Sequence, residues 1–347
     1  MSDRLPTDFE RHGLAGEHLP VAHGHPWLLT VDFEAFGVET LPLWLPAMRH
    51  WSARARDTGL RFSLFTSVED LVSLKLSSDP EAYASFTAAC RELHEAGSRF
   101  HPHNHCLFDP DTGVRASEAE GFHDSVEGYP HFPSMVYDVA RRHGVPIASW
   151  LPTVVRSYDA FLGDADLERP QRVAFRAGGW DCGVTRDDMA DYLDGIVQAG
   201  IAFESSAFCG TDESPGSSGA AVGRNVFRIR GDVVEVAPTD HVNCRLAASL
   251  ARWGLGRFRE PGRTKPGVRV TVIHIDHLFH AGRGASTRYF AVTDERVVRR
   301  RIDRFFRVLV LARRLFGLES VEFEDIQRYV PELARAAPER AIEPARA

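Results

Sequence analysis

Three histidines lie within five residues in the segment Arg99-Phe-His101-Pro-His103-Asn-His105. Imidazole is the commonest metal ligand in proteins and the usual proton donor or acceptor near neutral pH. If the segment is extended, all three side chains share one face of a strand. If it forms a turn, His101 and His105 meet at a spacing of four residues. Both geometries keep His101 and His105 together, and His103 is the uncertain member of the three.

Two acidic residues, Asp32 and Glu34, flank Phe33 at the end of an apolar segment, and they have two alternative interpretations. Side chains two residues apart on a strand share a face, and two adjacent carboxylates raise each other's pKa unless a cation joins them. One carboxylate could therefore be a metal ligand and the other a base, or the strand could simply end in solvent. Two imidazoles with one carboxylate leave coordination positions open, which suits a catalytic Zn²⁺, or Co²⁺ or Fe²⁺.

Two further segments carry candidate catalytic groups. Arg176 ends an apolar run and precedes Gly178-Gly179, whose free backbone amides could hold an oxyanion. An exposed arginine before a turn is the simpler alternative. His274 ends the run VRVTVI, with Asp276 and His277 beside it, and it is either a proton donor or a structural histidine.

Apolar runs alternate with amphipathic segments, which predicts an α/β fold with a parallel sheet, open or closed into a barrel. Strands are predicted over 27–34, 61–65, 173–176, 201–204, 233–237, 268–274 and 320–323, and helices over 42–58, 80–96, 131–143, 185–199 and 294–316. Residues 107–130 and the Gly/Ser-rich stretch 210–224 are predicted as loops. The candidate polar residues fall at the C-terminal ends of strands, where barrel enzymes carry their catalytic groups.

The composition bounds the class of protein. The chain has 347 residues, 44% hydrophobic and 26% charged, with a formal charge of -7 and no basic block, so a nucleic-acid partner is not expected. No apolar run has the roughly 18 to 20 residues of a membrane span, and the first residues do not resemble a signal peptide, which predicts a cytoplasmic protein. The five cysteines form no C-x-x-C pair. We predict a lead-in over 1–26, poorly ordered over its first 25 residues, one domain over 27–333 and a frayed tail over 334–347.

Taken together, these motifs resemble the polysaccharide deacetylase (NodB-homology) family, in the manner of family 4 carbohydrate esterases. Five segments carry the resemblance in the family's order: Thr30-Val-Asp-Phe-Glu34, His101-Pro-His-Asn-His105, Phe175-Arg-Ala-Gly-Gly-Trp180, Val234-Glu-Val-Ala-Pro238 and Val272-Ile-His274. The family's adjacent acidic pair is here split by Phe33. The resemblance implies a distorted, seven-stranded (β/α) barrel.

The resemblance also implies a mechanism in which a divalent metal, foremost Zn²⁺, activates water to hydrolyse an N-acetyl group. The implied roles are Glu34, His101 and His105 as metal ligands, Asp32 as base, Arg176 as its partner, His274 as acid, and Trp180 and Gly179 beside the substrate or oxyanion. His103, Asp276 and His277 would support these residues.

The implied substrate is an acetylated sugar or a precursor in glycan biosynthesis. Three alternatives stay open: an amidohydrolase acting on a non-sugar linear or cyclic amide, a catalytically silent carbohydrate-binding relative, and a protein with a purely structural metal. The sequence predicts no oligomeric state.

Overall fold

The computed structural model describes residues 8–114, 144–178, 185–206, 225–243, 266–279 and 292–335. The strands are β1 (Pro26–Phe33), β2 (Ser63–Ser67), β3 (Arg99–Asn104), β4 (Ala174–Ala177), β5 (Phe203–Glu204), β6 (Val226–Arg230), β7 (Val233–Val236), β8 (Asp240–Asn243), β9 (Arg269–His274) and β10 (Glu319–Val321). The helices are α1 (Asp8–Arg11), α2 (Leu41–Thr58), α3 (Val68–Lys75), α4 (Pro80–Glu95), α5 (Ile147–Asp164), α6 (Arg186–Gln198), α7 (Glu295–Phe316) and α8 (Pro331–Arg335), with 3₁₀ turns at Asp276–Phe279 and Phe323–Arg328.

The strands form one sheet in the order β6-β7-β5-β4-β3-β2-β1-β9-β8, and β10 pairs with β1 beside β2. Every pairing is parallel except the antiparallel β6–β7 pair. The predicted α/β fold with a parallel sheet is therefore confirmed. Parallel strands place their C-terminal ends at one edge, so side chains from distant parts of the chain meet there.

The sheet curls around an apolar interior. One buried cluster gathers inward-facing side chains from strands that are far apart in the sheet order, among them Leu28, Phe65, Ala174, Phe203, Val234 and Val270. Such a cluster requires curvature, because a flat sheet would hold β7 and β9 apart. Within the described ranges no ladder joins β6 to β8, so the sheet is an open, curled form of the predicted barrel.

Helices cover the outer face of the sheet. Trp51 on α2 lies edge-on to Phe62, just before β2, and to Phe306 on α7, at centroid distances of 5.1 and 5.0 Å. The predicted helix over 294–316 is confirmed: Asp294 accepts a hydrogen bond from the Arg296 backbone at its start. Gly317 ends the helix with φ 60°, a left-handed conformation that glycine adopts without strain.

The expectation of a poorly ordered lead-in is wrong for its later residues. The backbone amides of Gly16 and Leu19 donate to the carbonyls of Arg228 and Val226, so this segment lines the outer edge of β6. Phe9 and Leu19 are fully buried. The mostly polar sequence of this segment hid the pairing, because edge pairing uses backbone groups and needs few apolar anchors.

Several predictions fall on residues outside the described ranges: the helix over 131–143, most of the loop 107–130, the loop 210–224 and most of the tail. Four helices, α1, α3, α5 and α8, were not predicted. None of the helices in the described parts of the chain is long and apolar enough to cross a membrane.

Behind β2, the buried carboxyl group of Glu322 accepts a hydrogen bond from the Ser63 hydroxyl, 2.6 Å from Oε2. Burial is the largest influence on this group and raises its pKa from 4.5 to about 8. The carboxyl is therefore neutral in the folded protein at neutral pH.

This raised pKa predicts a pH dependence of stability. Between pH 4.5 and about 8 the folded protein keeps a proton that the unfolded chain has released, so the contribution of Glu322 to the free energy of unfolding declines as the pH rises. Glu322→Gln removes this titration. Its stability relative to the wild type should grow by on the order of a few kcal/mol from about pH 5 to about pH 8, measured by urea denaturation. Parallel pH profiles of the two proteins would contradict a neutral Glu322.

Candidate metal and catalytic site

Six of the candidate residues meet at the C-terminal ends of β1, β3, β4 and β9, a region called the mouth below: Asp32, Glu34, His103, His105, Arg176 and His274. Asp32 lies on β1, in register with His274 on β9. On the other side, His103 on β3 is in register with Arg176 on β4. Because β1 and β4 are separated by two strands, only the curl of the sheet brings Arg176 to Asp32.

A buried cationic partner keeps Asp32 ionised. Its Oδ1 atom lies 2.5 Å from Nη1 of Arg176, and both side chains are almost completely buried. Burial by itself would raise the pKa of Asp32, but the positive charge of Arg176, followed by that of His274, lowers it below its usual value. The mouth therefore holds a permanent carboxylate at Asp32.

Arg176 is held by a network on the inner face of the sheet. Its Nη2 atom donates to Thr30 Oγ1 at 2.9 Å and to Ser205 Oγ at 3.1 Å, and its Nε atom donates to the Ser205 carbonyl. The guanidinium lies over the ring of Phe65, 4.2 Å from its centroid. This arginine is thus a fixed cation, and the alternative of an exposed arginine before a turn is excluded.

Glu34, His103 and His105 form a second group, called the His–Glu cluster below. Oε2 of Glu34 lies 2.5 Å from Nε2 of His105 and 3.3 Å from Nε2 of His103. Within the described parts of the chain, these three residues are the group whose potential ligand atoms all lie within 4.8 Å of one another. Three protein ligands with further positions open are the arrangement of catalytic zinc sites, so the donor set fits such a metal.

The hydrogen bonding of His103 indicates that a positive charge, carried by a metal or a proton, belongs in this cluster. Its Nδ1 atom lies 2.8 Å from the carbonyl oxygen of Arg176, and a carbonyl oxygen can only accept, so Nδ1 carries the proton. A neutral His103 then turns the lone pair of Nε2 toward Glu34, which is also an acceptor. The two groups need a cation or a second proton between them. A ring nitrogen tied to a backbone carbonyl is the usual support of a metal-ligating histidine.

The pKa shifts of Glu34 and His105 also indicate a positive charge in the cluster. Burial alone would raise the pKa of Glu34, but His105, His103 and His274 hold it well below its usual value. Burial alone would lower the pKa of His105, but the charge of Glu34 raises it to about 9. The site therefore favours positive charge between Glu34 and the imidazoles.

The predicted pairing of His101 with His105 is corrected. His101 is fully buried between Phe65 and Phe323, at ring distances of 5.6 and 5.4 Å, and its Nδ1 accepts the backbone N–H of Ala174. Burial lowers its pKa to about 3, so it is neutral. His101 and His103 share the inner face of β3, but His101 lies about 7 Å deeper along the strand. The strand stays extended to Asn104, so the turn that would join His101 to His105 does not form.

His274 faces both carboxylates. Its Nε2 atom is 3.6 Å from Asp32 Oδ2 and its Nδ1 atom is 3.5 Å from Glu34 Oε1. Its side chain is 23% exposed, which makes it more accessible than either carboxylate. The ring of His277 stacks on it at 5.1 Å, and Asp276 begins the 3₁₀ turn that follows.

Glycine is required beside the cluster. A β-carbon at Gly178 would lie against the imidazole of His105 and 2.8 Å from its Cα. The backbone at Gly178 thus approaches His105 more closely than a residue with a side chain could. Gly179 and Trp180, the predicted substrate or oxyanion residues, lie outside the described residues.

Sequence reasoning missed the polar residues that support the site. Thr30 and Ser205 hold Arg176, and the buried Glu69 and Asp70 bind backbone amides next to the cluster. Two acids after Ser67 are typical of a helix start, which masked any other role. Only the pairing of β1, β2 and β3 shows where these acids lie.

No family model and no curated protein matches the chain. Solved structures with a similar course of the chain include a candidate polysaccharide deacetylase from Mycobacterium smegmatis, with 14% identity, a TM-score of 0.49, and coverage of 95% of this chain and 99% of that chain. A family 4 carbohydrate esterase from Streptomyces lividans in complex with acetate has 10% identity, a TM-score of 0.38, and coverage of 86% and 92%. A candidate fructose-1,6-biphosphate aldolase from Coccidioides immitis has 13% identity, a TM-score of 0.31, and coverage of 89% and 93%.

The corrected ligand set is tested by metal binding to three histidine variants. His103→Ala and His105→Ala should each weaken Zn²⁺ binding by at least about 10²-fold, because each removes a donor atom from the cluster. His101→Ala is the matched control, since it removes an imidazole from the same strand but a deeper layer, and its zinc affinity should stay near that of the wild type. Isothermal titration of folded, metal-free protein measures all three. Loss of zinc in His101→Ala with retention in His103→Ala would restore the original pair.

Proposed function

We propose that the protein is a metal-dependent hydrolase that removes an N-acetyl or other N-acyl group from a sugar or glycan precursor. The observation that carries the proposal is the adjacency of two carboxylates with different partners. Asp32 is paired with Arg176, while Glu34 faces two imidazoles. One carboxylate is thus available as a base and the other as a metal ligand. The sugar substrate is supported by the five-segment motif resemblance.

In this proposal Glu34, His103 and His105 hold the divalent metal. When bound, such a metal polarises the substrate carbonyl and lowers the pKa of water. The residue that accepts the proton of the attacking water is Asp32. Its Oδ1 atom is engaged by Arg176, whereas Oδ2 faces His274 in the mouth, so Oδ2 is the basic atom. The fixed charge of Arg176 keeps the carboxylate ionised between turnovers and fixes its orientation.

His274 is the proposed acid. As the water oxygen bonds to the acyl carbon and the carbon–nitrogen bond breaks, the departing amine needs a proton, which an imidazolium at His274 supplies. Its position 3.6 Å from Asp32 places acid and base on adjacent strands at the same edge. The products are a carboxylate, acetate for an N-acetyl group, and a free amine.

Asp32→Asn separates the base from the metal site. The variant should bind zinc with near wild-type affinity, because the cluster is intact, but lose about 10² to 10⁴-fold in turnover, because amide oxygen is not a base. Acetate release is measured from N-acetyl sugars, nucleotide-linked sugars, lipid-linked sugars, and non-sugar linear and cyclic amides. The exposed Asp57→Asn is the control and should match the wild type.

Four outcomes would contradict this proposal. Turnover retained in Asp32→Asn would remove Asp32 from catalysis, and loss of zinc would make it a ligand. Turnover by the wild type of non-sugar amides alone would identify a different amidohydrolase, and binding of acetylated sugars without release of acetate would identify a silent relative.

A further inference from the structure

We propose that Glu69 and Asp70, in the first turn of α3, are positioning residues that set the separation of the two segments carrying the metal ligands. The inference rests on the proposed function, because it assumes that the His–Glu cluster binds a metal. Glu34 follows β1, and His105 follows β3. β2 lies between these strands, and α3 begins directly at its end. The first turn of α3 therefore lies between the two ligand segments.

Glu69 holds the segment after β3. Its Oε1 atom accepts the backbone N–H of His105 at 2.8 Å, and its Oε2 atom accepts a hydrogen bond from the Asn104 amide at 2.9 Å. The same amide group donates to the Cys106 carbonyl, and its oxygen accepts from the indole of Trp150 at 3.2 Å. One buried carboxylate thus fixes both the backbone of a ligand and the side chain that precedes it.

Asp70 holds the segment after β1. Its Oδ2 atom accepts the backbone N–H of Ala35, the residue after Glu34, at 2.9 Å. Ala35 has φ 60°, a left-handed conformation that is unfavourable for a residue with a β-carbon. The indole of Trp44 donates to the Ala35 carbonyl at 3.1 Å. Hydrogen bonds to both the N–H and the carbonyl of the strained Ala35 therefore hold the turn that directs Glu34 into the cluster.

The helix supplies a stiff connection between these two contacts. Its N-cap, Ser67, accepts the backbone N–H of Asp70, and Ser67 is itself in register with His103 on β3. Acidic side chains in the first turn are also favoured by the helix dipole. Because Glu69 and Asp70 are consecutive, a single turn fixes one ligand segment relative to the other. Loosening either contact should increase the range of distances between Glu34 and His105.

Zinc affinity is the readout, because a role in folding alone would leave the affinity of the folded protein unchanged. In Glu69→Gln one carboxylate oxygen is replaced by an NH₂ group. This group cannot accept a hydrogen bond from the His105 backbone or the Asn104 amide, whichever it faces. Asp70→Ala removes the contact to Ala35, whereas Asp70→Asn keeps an oxygen that can accept it and should rescue binding. Glu81→Gln changes an exposed acid in the first turn of α4 and is the matched control.

The experiment is isothermal titration of Zn²⁺ into metal-free protein, with circular dichroism and urea denaturation to establish that each variant is folded. Glu69→Gln and Asp70→Ala should each raise the Kd for Zn²⁺ about 10- to 100-fold. The loss of zinc affinity in the double variant should be smaller than the product of the two single losses, because both residues fix the same separation. Glu81→Gln should bind like the wild type.

The failures of the two proposals are distinguishable. If the wild type binds no zinc, or binds it independently of His103 and His105, the proposed function fails. If the wild type binds zinc through these residues and the folded Glu69→Gln and Asp70→Ala variants bind it equally well, the positioning role is wrong. Equal weakening in Glu81→Gln would also overturn it.

Discussion

Two carboxylates, Asp32 and Glu34, must stay ionised within two residues of each other while nearly all their surface is withdrawn from water. Burying an unpaired carboxylate costs several kcal/mol, and two adjacent ones repel, so each needs its own cation. Asp32 obtains Arg176 from the opposite wall of the curled sheet. Glu34 faces two imidazoles, which satisfy it only with a proton or a metal between them. The rest of the mouth is arranged around this requirement.

The division between the two carboxylates separates their chemistry. The contact with Arg176 keeps Asp32 ionised through Oδ1 and leaves Oδ2 facing His274, where it is suited to accept a proton. The Oε2 atom of Glu34 and the Nε2 atoms of His103 and His105 converge on a single position, which is suited to a divalent cation. Because His274 contacts both groups from the neighbouring strand, it links the two halves of the mouth. The proposed reaction uses this division directly, because the base, the acid and the metal position all lie at the mouth.

The chain's patterns predicted the parallel α/β sheet and the meeting of Asp32, Glu34, Arg176 and His274, because strand ends converge in any such fold. They could not select among the histidines. Spacings of two and four residues both bring imidazoles together, and the choice depends on how far β3 stays extended. That length is set by pairing with β2 and β4, residues 63–67 and 174–177, which is a long-range property.

The support of the site was hidden for the same reason. Glu69 and Asp70 have the local pattern of an ordinary helix start, and only the strand order places them between the ligand segments. The lead-in was misjudged because its pairing with β6 uses backbone atoms, which leave little trace in side-chain types.

The central claim, that Glu34, His103 and His105 hold a divalent metal beside an ionised Asp32, is tested most directly by anomalous X-ray scattering. Crystals grown with Zn²⁺ and measured on both sides of the zinc absorption edge would show where the metal lies. One strong peak is expected at bonding distance from a carboxylate oxygen of Glu34 and one nitrogen each of His103 and His105, with Asp32 bound to Arg176 and not to the metal. A peak coordinated by His101, or full-occupancy zinc bound only elsewhere, would contradict it.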